Sequence, residues 1–460
     1  MKTKIHFFTT LAFTLFNVYA CTNSDFLNVK PNSTILTPST LEDVQKLLNN
    51  NINLCSGLAV MSSDEYVVNE EDWNVATAIE RNAYIWAKDL YEGTRGVLDW
   101  DRPFRAVFYA NNALAVLQTL EPNDSEQAVH NDLKGQALFK RAFASYELIR
   151  NFCKPYEEAS AETDLGIPIR KEPAIDRLAH RSNLADSYRF VLDDLKLAAQ
   201  LLGPRLGSNL FRPNDAAAHA LLARIYLDMG RYAEAELHAD STLLLYDRLI
   251  DYNTVSTTSA TPFPNTHDEL LFNAMTVGLY SFTTSGSLPR RYRMSEDLMD
   301  SYVANDLRLQ LYFVSDNEGR YIMKRGYYGT GLYPFTGLAV DEVYLVKAEC
   351  LARSGKEEQA LELLLALLDK RYVSGKTPSA NDILDGKTVL EVVLEERRKE
   401  LVWRGLRWQD IKRYNREGYN ITLTRSLGGQ TYTLPANDPR FVFPIPDDEI
   451  EYSGIAQNDR

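Results

Sequence analysis

Aromatic side chains that lie beside charged ones are the residues of this sequence best suited to hold a ligand. They form three clusters in stretches that lack helical periodicity. An aromatic plane can stack on the apolar face of a sugar ring, while arginine, carboxylate and amide groups hydrogen-bond its hydroxyls. Packing in a core, or anchoring of loops, is the alternative for each aromatic. The predicted contact residues are Trp73, Arg81, Tyr84, Trp86 and Tyr91; Tyr280, Arg290 and Tyr292; and Tyr327 and Tyr328.

Catalytic motifs give no comparable signal. The sequence contains no HExxH, GxSxG, GxxxxGK[ST] or EF-hand pattern. Its 6 histidines are scattered, and His219 and His238 fall within one predicted helix pair, where packing or solvent contact accounts for them. Two facing carboxylates of a glycoside hydrolase stay an open alternative, although in a chain with 63 acidic residues adjacent carboxylates are expected at the solvated surface. We therefore expect a protein that is not an enzyme, with no cofactor and no metal site.

The elements that must position these residues are mostly helices, with apolar residues three and four positions apart. The periodic stretches are 111–120, 133–152, 184–202, 216–249, 340–371 and 389–414. Two of them, 216–249 and 340–371, also match the tetratricopeptide pattern, in which a glycine ends the first helix of a pair. A generic helical hairpin is the alternative. One such pair cannot bury its apolar face alone, so each must pack on neighbours.

Three stretches, 64–105, 252–337 and 418–460, lack this periodicity. The longest, 252–337, is rich in Ser, Thr, Pro, Gly and aromatic residues, which predicts long loops with a few short strands. Loops of this length are more often functional than idle. The predicted fold is therefore mostly α. We expect a single large domain over 21–460 in which tetratricopeptide-like helix pairs carry loop-rich elaborations.

The first twenty residues have the order of a secretory signal. Lys2 and Lys4 precede an apolar stretch that is too short to span a bilayer, and small or neutral residues follow. The segment 18–21, VYAC, resembles a bacterial lipoprotein box, which predicts removal of residues 1–20 and lipidation of Cys21. A secreted protein with an incidental cysteine is the alternative. Without the signal, 50 Lys and Arg become 48, and the net charge changes from −13 to 48 − 63 = −15.

The composition limits the number of disulfides that the protein can form and the class of partner that it can bind. Beyond Cys21 only Cys55, Cys153 and Cys350 remain, too few for a disulfide framework, so we expect buried free thiols. A Cys55–Cys153 bridge is the alternative. The acidic balance disfavours a nucleic-acid partner and a surface held to anionic lipid by basic patches.

An ordered set of markers along the chain resembles the SusD/RagB family of Bacteroidetes outer-membrane nutrient-binding lipoproteins. These markers are Phe26-Leu27; Ala137-Leu138-Phe139, Arg141-Ala142-Phe143 and Tyr146; Pro155-Tyr156 and Gly166-Ile167-Pro168; Glu396-Arg397-Arg398-Lys399-Glu400-Leu401 with Gly405, Arg407, Trp408, Asp410 and Arg413; and Pro444-Ile445-Pro446, Glu449-Ile450 and Gln457-Asn458. Arg404 stands where the family usually has an acidic residue. The charged run at 395–400 offers ion pairs at helical spacing, so we assign it to packing and not to ligand contact.

The resemblance implies a function as well as a fold. Members of that family sit on the cell surface, anchored in the outer membrane by lipid, as lids over a SusC-like TonB-dependent transporter. They capture an oligosaccharide, or in some cases a peptide, and deliver it to the transporter without catalysis. Their helix pairs commonly face the transporter, while loops build the ligand surface. A peptide-binding member and a helical-repeat scaffold without a small ligand are the alternatives.

Overall fold

Helices form most of the framework in a computed structural model that describes residues 38–49, 53–174, 178–204, 209–278, 280–284, 291–316, 318–324, 327, 329 and 332–460. Residues 1–20 and Cys21 lie outside the described residues, as do Arg290 and Tyr328. Within the body of the protein, Thr40–Arg460 forms one compact unit. The expectation of a mostly α fold is confirmed.

The helices follow the periodic stretches closely. They are α1 Leu41–Leu48, α2 Gly57–Ser62, α3 Glu70–Asn74, α4 Ala78–Tyr84, α5 Leu98–Thr119, α6 Gln127–Phe152, α7 Leu184–Leu201, α8 Asp215–Asp228, α9 Tyr232–Leu245, α10 Glu296–Met299, α11 Arg308–Tyr312, α12 Val340–Arg353, α13 Glu357–Asp369, α14 Ala380–Leu384, α15 Val389–Glu400, α16 Arg407–Arg416 and α17 Asp447–Ser453. Helix α5 begins well before the predicted 111–120 and includes Pro103 inside the helix, where the proline ring removes one intrahelical hydrogen bond.

Both tetratricopeptide-like pairs are present as predicted. Helices α8 and α9 form the first pair and α12 and α13 the second, and they are separated by Gly230 and Gly355, both at positive φ. The distance between the pairs in the sequence argues against a continuous solenoid. In space, however, α9 packs against α12, so consecutive helices from α5 to α9 continue directly into α12 and α13. The loop-rich stretch between the pairs therefore leaves the helical stack and returns to it.

The strands are short and pair two by two among the described residues. They are β1 Asn53–Cys55, β2 Tyr66–Val67, β3 Leu165–Pro168, β4 Arg181–Asn183, β5 Leu270–Phe272, β6 Met275–Thr276, β7 Arg293–Met294, β8 Phe313–Ser315, β9 Tyr321–Met323, β10 Leu338–Ala339, β11 Leu423–Leu427 and β12 Gln430–Leu434. Five of them lie in 252–337, as expected. Pairs β1–β6, β2–β7 and β5–β10 tie that stretch to distant segments of the chain.

A buried ion-pair network fastens the loop-rich stretch to the helices. The Arg308 guanidinium lies 2.7 Å from carboxylate oxygens of Asp306 and Glu396 and 3.0 Å from one of Glu400. Arg371, at the end of the second helix pair, lies 2.7 Å from Glu400. All five side chains are buried. The packing role of the charged run is thus confirmed, but its partners lie mainly on other elements and not along its own helix.

The three cysteines of the body, Cys55, Cys153 and Cys350, are buried free thiols, as expected, and no bridge joins them. Burial raises the pKa of the Cys153 thiol to about 11. Thiols that stay protonated at neutral pH are poor nucleophiles, so these cysteines pack as small apolar side chains.

Candidate ligand-binding surface

Trp73 is the predicted aromatic contact that keeps its indole partly open to solvent. It lies on the short helix α3, and its ring packs against the core on one side. The indole Nε1 donates a hydrogen bond to the Arg81 carbonyl at 3.2 Å, and the Arg81 guanidinium lies 5.8 Å from the ring centroid. That guanidinium in turn donates to the Ala76 carbonyl at 2.7 Å. These contacts hold the exposed part of the indole in one orientation.

Three acidic residues precede this tryptophan on the same helix. Residues 70–72 fill the first turn of α3, where carboxylates are favoured by the helix dipole, and none of them is buried. Asn69 caps the helix by accepting a hydrogen bond from the Asp72 N–H at 2.7 Å. We call Trp73, Arg81 and the acidic residues 70–72 the Trp73 surface. It combines an aromatic plane, hydrogen-bond acceptors and a cation, which are the groups that recognise a polyhydroxylated ring.

The β11–β12 hairpin lies against this surface. Its strands pair with Leu427 opposite Gln430, which leaves a two-residue turn of Gly428 and Gly429, both at positive φ. A Cβ at Gly428 would approach the Glu70 carboxylate to 2.9 Å. Glycine is favoured here by the positive φ of both turn residues.

Below the surface, the first two predicted clusters merge into one aromatic core. Tyr84 and Phe282 have ring centroids 6.0 Å apart, and both pack on Tyr66. Tyr292 stacks on Trp403 at 4.8 Å with an interplanar angle of 23°. These rings come from segments far apart in the sequence. The structure thus brings together residues that spacing alone could not relate.

Arg425 is the residue of this region that sequence reasoning missed. It lies on β11 but is buried, with its guanidinium 3.8 Å from the Tyr84 ring centroid and 4.8 Å from that of Trp86. The guanidinium donates to backbone carbonyls, including that of Met61 at 3.2 Å and that of Tyr84. One signal was present in the sequence: in LTRSL the arginine occupies an inward position of an alternating strand.

Tyr280 joins the second cluster to α2 and α5. Its hydroxyl donates to the Asp99 carboxylate at 2.5 Å, and Asp99 also accepts hydrogen bonds from Ser56 Oγ and the Leu58 N–H. Burial raises the pKa of Asp99, and burial beside that carboxylate raises the pKa of Tyr280 well above its usual value. The ring is partly exposed but fixed at its hydroxyl end.

The remaining predicted contacts carry structural hydrogen bonds. Trp86 Nε1 donates to the Ser62 carbonyl at 3.0 Å, and the Tyr91 hydroxyl donates to the Pro444 carbonyl at 2.7 Å. The Arg404 guanidinium carbon lies 3.7 Å from the Tyr327 ring centroid, and the Tyr327 hydroxyl donates a hydrogen bond to the Glu269 carboxylate. Together with Tyr84 and Tyr292 they are at most 6% exposed. Their contact with a ligand stays a prediction, as it does for Arg290 and Tyr328, which lie outside the described residues.

Two tryptophans of this region have backbone strain. Trp86 has φ 54° and Trp403 has φ 64°, in the left-handed region that large side chains rarely adopt. Both rings are buried and hydrogen-bonded, with Trp403 Nε1 donating to the Thr283 carbonyl at 3.0 Å. Packing in the aromatic core keeps both tryptophans at positive φ, so the core is a rigid support for the loops that pack on it.

Comparison with known protein families gives two matches along the chain. A family model described as starch-binding and associating with the outer membrane matches residues 25–227, and a model described as the SusD family matches residues 338–459. No protein of curated function matches the chain. Among the described residues, no helix has both the length and the apolarity to cross a bilayer.

Solved structures resemble the chain over nearly its whole length. A SusD superfamily protein from Bacteroides thetaiotaomicron is 23% identical with a TM-score of 0.73, and the match covers 92% of this chain and 100% of that one. One from Bacteroides vulgatus has the same identity and TM-score, covering 92% and 99%. A SusD-like carbohydrate binding protein from Bacteroides vulgatus is 18% identical with a TM-score of 0.63, covering 90% and 97%. These similarities establish the fold.

Proposed function

Because this chain belongs to the SusD family, we propose that it is a non-catalytic lipoprotein of the outer membrane that binds an oligosaccharide and delivers it to a SusC-like TonB-dependent transporter. The Trp73 surface is the observation that carries the binding part of this proposal. A partly exposed indole lies on the same short helix as three acidic residues and 5.8 Å from a guanidinium, and hydrogen bonds through Arg81 hold it in place. A surface ordered before the ligand arrives loses less conformational entropy on binding.

The arrangement of the acids favours binding over hydrolysis. Glycoside hydrolysis requires two carboxylates that face each other across the scissile bond, about 5 to 9 Å apart. The carboxylates of the Trp73 surface instead follow one another in a single helical turn. Successive helix positions point about 100° apart, so these carboxylates do not face one another and can accept hydrogen bonds from separate hydroxyl groups.

The membrane anchor depends on Cys21. The sequence around it supports lipidation, and two or more acyl chains provide stable attachment without a membrane-spanning helix. Labelling of growing cells with radioactive palmitate tests this step. We expect label in the wild-type protein and none in a Cys21→Ser variant, and an unlabelled wild-type protein would remove the anchor from the proposal.

The transporter contact is proposed for the first tetratricopeptide-like pair. Leu237, Leu244 and Leu245 on α9 are 60%, 89% and 48% exposed, and large exposed apolar groups commonly mark protein interfaces. Copurification from outer membranes tests the contact. We expect a Leu244→Asp variant to lose the transporter but keep its ligand. If uptake and copurification were both unaffected by loss of ligand binding, a helical-repeat scaffold would replace the binding function.

A glycan array followed by calorimetry tests the ligand class. We expect Trp73→Ala to weaken oligosaccharide binding by about tenfold or more, the size of one lost stacking contact of about 1.4 kcal/mol. Tyr419→Ala is the matched control, because that aromatic is also exposed but lies outside the Trp73 surface. Heat with peptides and none with sugars would favour the peptide-binding alternative. Equal binding by both variants would remove the surface as the site.

A further inference from the structure

Two histidines meet where the helices of the first tetratricopeptide-like pair face each other. His219 on α8 and His238 on α9 have their Nδ1 atoms 3.0 Å apart, and their ring centroids are 5.2 Å apart. In a hydrogen bond between two imidazole nitrogens, one must donate and the other must accept. At least one Nδ1 is therefore unprotonated and has a lone pair directed at the space between the rings.

The orientation of this pair is fixed by its surroundings. The His238 ring stacks on Tyr226, with centroids 5.5 Å apart and an interplanar angle of 1°, and Tyr226 is buried in the core. The histidines themselves are only partly buried, so solutes can reach them. A stacked ring can still turn within its own plane, which changes the direction of Nδ1 without loss of packing.

The spacing of the two nitrogens is close to that of neighbouring ligands on a transition metal. With Zn–N bonds of 2.0–2.1 Å and tetrahedral angles, two ligand nitrogens lie about 3.3 Å apart. If the distance between the Nδ1 atoms increased by a few tenths of an ångström and both rings turned toward a common point, a metal ion could take the place of the shared proton. Neutral imidazole is the side chain most used for Zn²⁺, Ni²⁺ and Cu²⁺.

The charged side chains around the pair balance one another. Asp215 lies one helical turn before His219, and Glu234 one turn before His238, so each carboxylate is on the same helix face as its histidine. Lys196 is one opposing charge that acts on the rings, and Arg231, which pairs with Glu234, is another, so these four groups carry no net charge. Across the described part of the chain, no cluster of three or more His, Cys, Asp or Glu side chains is arranged to hold a metal. Water would fill the remaining coordination positions.

We propose that His219 and His238 form a two-imidazole site for a divalent transition metal of the Zn²⁺, Ni²⁺ and Cu²⁺ group, bound through both Nδ1 atoms. The bound ion joins α8 to α9. It acts as a cross-link between the two helices of the first pair. Neither helix contributes a residue to the Trp73 surface.

Calorimetric titration of the tag-free mature protein with ZnCl₂ tests this site. We expect one equivalent of Zn²⁺ to bind, and His219→Asn and His238→Asn each to lower the affinity by about tenfold or more. Asparagine keeps a hydrogen-bonding group near the Nδ1 position, so these variants retain a polar contact between the helices. His180→Asn is the matched control, because His180 is exposed and lies outside the pair.

Two further measurements keep the proposal open to refutation if an asparagine variant folds poorly. In the wild-type protein, Zn²⁺ should raise the melting temperature and shift the imidazole NMR signals of His219 and His238 but not those of His180. Absence of zinc uptake by the wild-type protein, or equal uptake by both asparagine variants, would overturn the site. Shifts confined to other histidines would overturn it as well.

Discussion

At the scale of single residues, buried charges fix how the loop-rich stretch docks on α15. Arg308 is fully buried and pairs with Asp306 in its own loop and with Glu396 and Glu400 on α15. A buried ion pair adds little over apolar packing when it is intact, but its rupture leaves charges without compensation. The network therefore specifies which loop conformation can dock on the helix.

Replacement of Arg308 is predicted to destabilise the folded protein strongly. Arg308→Met leaves the surrounding carboxylates buried with too few cations, so we expect the free energy of unfolding to fall by about 3–5 kcal/mol. Arg320→Met is the matched control, because Arg320 pairs with Asp316 at the surface and is 45% exposed, and its loss should cost under about 1 kcal/mol. Urea unfolding measures both. Similar losses in the two variants would contradict the structural role of the network.

Glu65 gives a pH dependence at the same scale. Its carboxylate is buried and accepts hydrogen bonds from the Trp403 N–H at 2.9 Å and from Ser63 Oγ at 3.1 Å. Burial raises the pKa of Glu65 to about 7, from about 4.5 in the unfolded chain. Between these two values the native state binds more protons than the unfolded state, so the contribution of Glu65 to stability falls as pH rises from about 4.5 to about 7.

The predicted consequence is a pH-dependent gain in Glu65→Gln. The amide cannot ionise, so relative to the wild-type protein the free energy of unfolding should rise by about 2–3 kcal/mol between pH 5 and pH 8. Glu362→Gln, at an exposed position, serves as control and should show no such trend. Urea titrations at several pH values measure the difference. A constant difference across that range would show that Glu65 is ionised in the folded protein at low pH.

At the scale of elements, helix α2 must come very close to the loop that carries Tyr280. A Cβ on Gly57 would lie 2.5 Å from two carbon atoms of the Tyr280 ring, which is far inside van der Waals contact. The Asp99 hydrogen bond fixes that ring, so it cannot move aside freely. Gly57 thus sets the distance between α2 and the second predicted aromatic cluster.

Gly57→Ala should therefore displace the Tyr280 ring. We expect a loss of about 1–3 kcal/mol in the free energy of unfolding, as for other overpacked sites. Gly203→Ala is the control, because the nearest atom to its added Cβ is 3.8 Å away. Chemical denaturation compares the two variants. If Gly57→Ala were as stable as the control, the close approach of ring and helix would be wrong.

At the scale of the whole molecule, one large apolar cluster runs from Leu54 to Ile455 and includes residues of both the helices and the loop-rich stretch. Two smaller clusters lie beside it, one around the second helix pair and one between α1, α5 and α6. The ion-pair network crosses between the loop-rich stretch and α15. Because these regions share buried contacts, unfolding of either one removes contacts that stabilise the other.

The body of the protein is accordingly expected to unfold as one unit. Tryptophan fluorescence reports Trp73, Trp86, Trp100, Trp403 and Trp408, and far-ultraviolet circular dichroism reports the helices. We predict coincident urea transitions by the two methods, the mark of a single cooperative transition. Separate midpoints would indicate that the loop-rich stretch opens before the helical stack.

The sequence alone determined the helices, their tetratricopeptide-like pairs and the family, because helical periodicity and turn residues act over a few positions. It also identified the loop-rich stretch and the free cysteines. For the candidate site it predicted the regions but not which rings face solvent. Trp73 and Tyr84 look alike in the sequence, and only packing against Phe282 and Arg425 buries the second.

What only the tertiary structure decided are the contacts between distant segments. Arg308 finds Glu396 and Glu400, α9 packs on α12, and His219 faces His238 because whole elements dock on one another. Burial and charge pairing depend on those docked surfaces and not on local spacing. The chain therefore specifies its elements locally, whereas the ligand surface and the histidine pair exist only once those elements have packed.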